Sequence, residues 1–288
     1  MKLGRLGVWS MLNPMAPQDV AKAAQKLEAL GYSALWLPEA LGPDPFVCAS
    51  FLLSQTSKLI LATGIANIYH RLPGVMVAGQ KTLAQQSDGR FLLGLGVSHQ
   101  VLVEGVRGLI YGPPLTAMRT YLAAMDASPD MQGAEAIDMP RVIAALGPKM
   151  LELAAAQARG AHPYFMTPAH TKLARSILGP DAWLCVEQKV ILETDRARAH
   201  AAARATAAFY IGLPNYQRGW KFSGIAESEF ANGGSDAFID ATFAWGSVEK
   251  IKERIAAHFD AGASHVCLQP VNPDGLANFD WKAMEALA

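Results

Sequence analysis

Three observations predict a (β/α)8 barrel, a TIM-barrel α/β fold. Short apolar runs alternate with helical stretches, the runs are continuously apolar, and eight such strand–helix units fit into 288 residues. Strands buried on both faces read as unbroken apolar runs and belong to parallel sheets covered by helices. Barrels of about 250 residues routinely form one domain, so one domain spanning residues 1–288 is expected. A doubly wound open sheet is the rival, but it usually needs fewer strands for this length.

The elements follow in order. Residues 6–9 read as the first strand. Residues 17–30 carry Val20, Ala23, Ala24, Leu27 and Leu30 at helical spacing. Gly31 then supplies the left-handed residue that ends a helix. A strand at 34–37 stops at Pro38. The cycle recurs as helix 46–55, strand 59–62, helix 74–87, strand 91–97, helix 115–127, strand 141–146, helix 149–158, strand 161–165 and helix 169–178. Strand 183–192, a helix opening at Asp195, helix 248–261, strand 265–270 and a terminal helix at 280–287 complete the set. Residues 212–246 break the rhythm with Trp220, Phe222, Phe230, Phe238, Phe243 and Trp245. Long connections are functional or disordered, and so many aromatics argue against disorder. A small helical insertion near strand 7, lying over the barrel mouth, is expected there. Residues 127–140, rich in Ser, Pro, Asp, Gln and Gly, read as a surface loop.

Composition bounds the partners. Lys+Arg and Asp+Glu are both 25, a balance that argues against nucleic acid or an anionic membrane as partner. Cys48, Cys185 and Cys267 form no CxxC pair, so neither a disulfide scaffold nor a zinc site is expected, and a reducing cytoplasm is. The first residues are interrupted by Gly4, Arg5 and Gly7, unlike a signal-peptide core, and no run approaches the roughly 18 apolar residues of a membrane helix. A cytoplasmic protein acting on a small-molecule substrate is the resulting expectation.

In a barrel enzyme the chemistry lies at the C-terminal strand ends. Gly94-Leu95-Gly96-Val97-Ser98-His99 looks like a nucleotide loop, but the third glycine position holds His99. It offers small residues against which a flat ring can lie, followed by Ser98 and His99. A histidine, with an unperturbed pKa near 6.5, can orient a carbonyl or pass a proton, or simply bond a rim carbonyl. Glu39 follows Pro38 at a strand end, where a carboxylate can serve as an acid or pair with a rim cation. Gly147-Pro148-Lys149 and Thr167-Pro168-Ala169 each open a helix after a strand, as a phosphate site does and as an ordinary capped helix does. Glu187 to Lys189 closes another strand. The seven histidines show neither HxH nor HExxH spacing, so no metal is expected.

Several stretches carry a family resemblance: LEALGYSALWLPEA, LILATGIANIYHRLP, KTLAQQSDGRFLLGLGVSHQ, ALGPKMLELAA, GAHPYFMTPAHT and VEQKVILETD. In this order and spacing the whole chain resembles the luciferase-like monooxygenase superfamily, and within it the F420-dependent oxidoreductases. The resemblance implies a homodimer and a deazaflavin F420 cofactor, with FMN in a monooxygenase as the alternative. A barrel that binds a flavin without turnover is a third reading. It also implies a bulge with a non-prolyl cis peptide after the third strand, matching Gly64 and Ile65 with Asn67 nearby, on which the ring lies beside Gly96. Phosphate contacts map to Gly147, Pro148, Thr167 and His170. His99, backed by Ser98 or Glu39, is the expected proton-transfer group. The chain departs from relatives that place a histidine after strand two and a glutamate after strand four, because Pro38-Glu39 and Val97-Ser98-His99 stand there. Sugar-phosphate oxidation is therefore not implied.

Overall fold

Apolar runs bounded by glycine and proline become parallel strands in the computed structural model, which describes residues 1–11, 15–129 and 137–288. The strands are β1 (Leu6–Trp9), β2 (Ala34–Leu37), β3 (Ile60–Thr63), β4 (Ala66–Asn67), β5 (Phe91–Gly96), β6 (Arg141–Ile143), β7 (Gly160–Ala161), β8 (Trp183–Ile191), β9 (Phe243–Trp245) and β10 (His265–Pro270). Among the described residues, eight of them pair in parallel in the order β1-β2-β3-β5-β6-β7-β8-β10. Leu6 opposite Val266 closes the ring, which rules out the open doubly wound sheet. The remaining two are short. β4 pairs with β5 beyond a break at Gly64–Ile65, and β9 lies alongside the end of β8.

The two-residue period divides each strand between two cores. On β2, Leu35 and Leu37 join the large cluster under the helices, while Ala34 and Trp36 join Trp9, Ile60, Leu92 and Cys185 inside the barrel. The surrounding helices are α1 (Pro17–Ala29), α2 (Pro45–Gln55), α3 (Pro73–Gln86), α4 (Pro114–Asp126), α5 (Pro148–Gln157), α6 (Pro168–Leu178), α7 (Arg196–Ile211), α8 (Pro214–Phe222), α9 (Glu227–Phe230), α10 (Asp236–Thr242), α11 (Val248–Asp260) and α12 (Trp281–Leu287). Proline opens many of them, at the position where its missing N–H is not needed. Gly31 ends α1 at φ +90°.

Two strands are shorter than their apolar runs. The run at 161–165 forms regular strand only at Gly160–Ala161, and its bonds to the neighbouring strands end with His162 N to Ile143 O and Glu187 N to Pro163 O, because Pro163 has no N–H and Phe165 turns to φ +60°. The run at 141–146 stops at Ile143 before turning into α5. Residues 100–113, irregular in sequence, hold a π-helical turn at Val101–Val106. The expected loop at 127–140 lies partly outside the described residues. Helices α8 to α10 occupy most of 212–242, and their aromatics form a separate cluster with Phe165 and Met166.

Candidate active site

The C-terminal strand ends open into one cavity of about 2250 Å³. Its wall runs from Trp9 and the loop after β2, through Gly64, Ile65 and residues 96–102, to Gly147, Pro148, His162 and Tyr164. Phe209, Tyr210, Leu213, Tyr216 and Phe222 enclose it from the side of α7 and α8.

The break after β3 forms the most specific part of the wall. The Gly64–Ile65 peptide is cis. Its backbone is held on several sides: Gly64 N donates to Leu37 O at 2.8 Å, Glu39 N to Ile65 O at 3.2 Å, and Trp9 Nε1 to Gly64 O at 2.8 Å. Close approach explains the glycines. A Cβ on Gly94 would lie 2.0 Å from the Thr63 carbonyl oxygen, and one on Gly64 would lie 2.8 Å from the Trp9 indole nitrogen. Gly96 likewise leaves room for the Ile65 side chain, 2.5 Å from where its Cβ would stand.

The cavity brings together Glu39, Gly64, Ile65, Gly96, Ser98, His99, Gly147 and Pro148. Ser98 has φ +56°, and its carbonyl accepts the Tyr111 hydroxyl at 3.3 Å. The His99 ring stands 5.6 Å from that of Tyr216. Burial lowers the His99 pKa, and a hydrogen bond with the Asn215 side chain partly offsets this.

Glu39 has its carboxylate committed elsewhere. Oε2 accepts from Asn67 N at 2.7 Å, and Oε1 faces Arg71 Nη1 at 2.6 Å and His70 Nδ1 at 3.2 Å. The bland alternative, pairing with a rim cation, describes it, and it clamps the backbone beyond the bulge.

Three expected cofactor contacts lie behind the wall instead. Asn67 is wholly buried and spends its side chain on His70 and on Tyr69 N. Thr167 caps α6 by accepting from His170 N, and His170 directs Nε2 at Leu146 O, 2.7 Å away. Both bond their own turn and the neighbouring loop, which draws them away from the cavity.

Other wall residues went unassigned in the sequence. His162 follows β7 directly and is buried, stacked on Trp36. Tyr164 OH donates to Gln269 Oε1 at 2.8 Å and stands 2.8 Å from Tyr210 OH. Beneath them lie Glu187 and Lys189, both fully buried, with Lys189 Nζ 3.2 Å from the carboxylate and 3.8 Å from the Tyr164 ring centroid. Burial brings Lys189 down to about 8 and pushes Glu187 up, against their mutual attraction. The signal for this pair is two opposite charges two residues apart in the otherwise apolar strand WLCVEQKVI, which places both on one face.

No helix among the described residues is long and apolar enough to cross a membrane, and no group of three or more His, Cys, Asp or Glu among them could hold a metal.

Similarity to known proteins agrees with this architecture. The chain is 27% identical over 255 residues (74% of this chain, 73% of the relative) to a Mycobacterium tuberculosis protein with the provisional name coenzyme F420-dependent oxidoreductase. It is 26% identical over 302 aligned positions (88% and 91%) to the 5,10-methylenetetrahydromethanopterin reductase of Methanolobus tindarius. The coenzyme F420-dependent tetrahydromethanopterin reductase of Methanopyrus kandleri superposes with a TM-score of 0.78 at 18% identity, covering 98% of this chain and 96% of its own. That likeness shows the shared barrel. The sequence pattern of the luciferase-like monooxygenases matches residues 1–265, and the chain belongs to that family.

Proposed function

We propose that the protein is an F420-dependent oxidoreductase that exchanges a hydride with a small organic substrate. The observation that carries this is the Gly64–Ile65 bulge beside Gly96 on the cavity wall, where the two glycines add no side chain of their own and let Trp9 and Ile65 pack close against the backbone. A flat tricyclic ring fits against such a surface. The cavity, at about 2250 Å³, exceeds the roughly 300–1,000 Å³ of an ordinary single-ligand site, so it has room for a cofactor and a second molecule. The relatives' names favour F420 over FMN as that cofactor.

When bound, F420 supplies a hydride donor or acceptor at C5 of its deazaflavin ring. Gly64, Ile65 and Gly96 would support the ring. Gly147, at the start of α5, would offer its N–H to a phosphate, with Pro148, which has none to give, packing beside it. Tyr210, Tyr216 and Phe222 would exclude water from the reacting face. His99, on the cavity wall with Asn215, would orient the substrate or carry the proton that accompanies the hydride. Ser98 contributes the turn that aims it.

Parallel fluorescence titrations of the purified protein with F420 and FMN test the reading. Micromolar or tighter binding of F420 with much weaker FMN binding is expected. The reverse order would make this a flavin enzyme, and binding of neither would overturn the site.

A further inference from the structure

His162 holds a buried polar atom that the proposed chemistry above does not use. Its Nδ1 lies 2.7 Å from the carbonyl oxygen of Cys185. A carbonyl only accepts, so Nδ1 carries the hydrogen, and in the neutral ring Nε2 is left with a lone pair. The stack on Trp36, at a centroid distance of 4.4 Å and an angle of 15°, holds the plane of the ring, and turning the ring over within that plane would give up the bond to Cys185.

Nε2 is buried and without a hydrogen-bond partner. It points at the bulge, 3.3 Å from where a Cβ on Gly64 would stand, and the residue lines the cavity. The nearby donor, Trp9 Nε1, is already used by Gly64 O. In the layer below, His265 is satisfied on both nitrogens, by Trp36 Nε1 and by Gly4 O. Buried acceptors are ordinarily paired, and this one faces the place proposed for the ring.

We infer that His162 Nε2 is the acceptor for the imide N–H of the ring bound on the Gly64–Ile65 bulge. The inference rests on the proposed function and adds the orientation of the ring, with its pyrimidinedione edge towards β7. The two carbonyls flanking that N–H are acceptors and would repel the lone pair, so the contact accepts one register of the ring only. Burial keeps the imidazole neutral well below neutral pH, which preserves its acceptor character.

The test pairs a chemical change with a mutation. A 5-deazaflavin and its N3-methyl derivative are titrated into the wild-type protein and into His162→Phe, following fluorescence. Methylation is expected to weaken binding to wild type at least tenfold, the scale set by an unpaired buried acceptor. In His162→Phe both compounds should bind with similar, weak affinity. Equal binding of the two compounds by wild type, or an undiminished methyl penalty in the variant, would overturn the inference. Imidazole ¹⁵N NMR of wild type keeps the test open if the variant does not fold: the Nε2 resonance should move upfield on binding the unmethylated ring, and no movement counts against the contact. Binding of neither compound by wild type would instead refute the proposed cofactor class.

Discussion

The Glu39 clamp gives a quantitative forecast that also separates two roles for this residue. In Glu39→Gln the amide oxygen can still accept from Asn67 N, but its NH2 group then faces Arg71 Nη1 and His70 Nδ1, donor against donor. The side chains of Glu39 and Arg71 are only 8% and 12% exposed, so solvent does little to relieve this. Losing one charge-assisted bond costs roughly 1.5–3 kcal/mol, with a further 1–3 for a donor left unpaired. Arg71 keeps Asp44 and its position over the Phe46 ring, which moderates the sum. A net loss of about 3 kcal/mol follows, or roughly 6 °C in Tm for a chain of this size. Urea and thermal unfolding of the two proteins measure it directly. If the variant unfolds within about 0.5 kcal/mol of wild type while turnover collapses, Glu39 is a proton carrier and the clamp argument is wrong.

Two more perturbations probe the same frame. Gly94→Ala drives a Cβ to within 2.0 Å of the Thr63 carbonyl and should lose more than about 3 kcal/mol or fail to fold. Gly105→Ala, with nothing within 4 Å, should stay within about 0.5 kcal/mol in the same urea assay. Burial holds the pKa of His162 and His265 down to about 4 and that of His258 to about 3, against about 6.5 in the unfolded chain. The unfolded chain therefore takes up protons first as pH falls. The histidine contribution to stability is complete above pH 6.5 and lost towards pH 4, at roughly 2 kcal/mol per histidine between pH 7 and 5. Urea midpoints that stay flat over that interval would contradict it.

The barrel is legible in the sequence because its signal is repeated and local. Gly31 and Pro38 bracket the run at 34–37, and Pro17, Pro148 and Pro168 mark helix starts, so these elements emerge within a residue or two. The run at 161–165 misleads, since apolarity does not reveal that Pro163 and Phe165 break the pairing. For the site, position along a strand is readable but side-chain direction is not. Gly64, Gly96, Ser98 and His99 reach the cavity, whereas Asn67, Thr167 and His170 turn inward to satisfy backbone groups. His162 lies inside the stretch GAHPYFMTPAHT, in a run read as strand, where no sequence signal marks it as a site residue. Its importance comes from Cys185 and Gly64, which are distant in the chain and adjacent only after closure.

Phe165 ties two parts of the mouth together. Its N–H goes to Glu187 at 2.8 Å and its carbonyl accepts the Trp220 indole at 2.9 Å, so a single residue bolts the α8 aromatics to the charged pair inside the barrel. The rim that follows β5 is pinned by phenol hydroxyls, Tyr111 on Ser98 and Tyr69 on Gly112, and presents Val101, Leu109 and Ile110 to solvent. Remodelling for new substrates, by drift or by design, thus has one permissive side: residues 100–112 can be rebuilt piecemeal, whereas the α8 side must change as a unit.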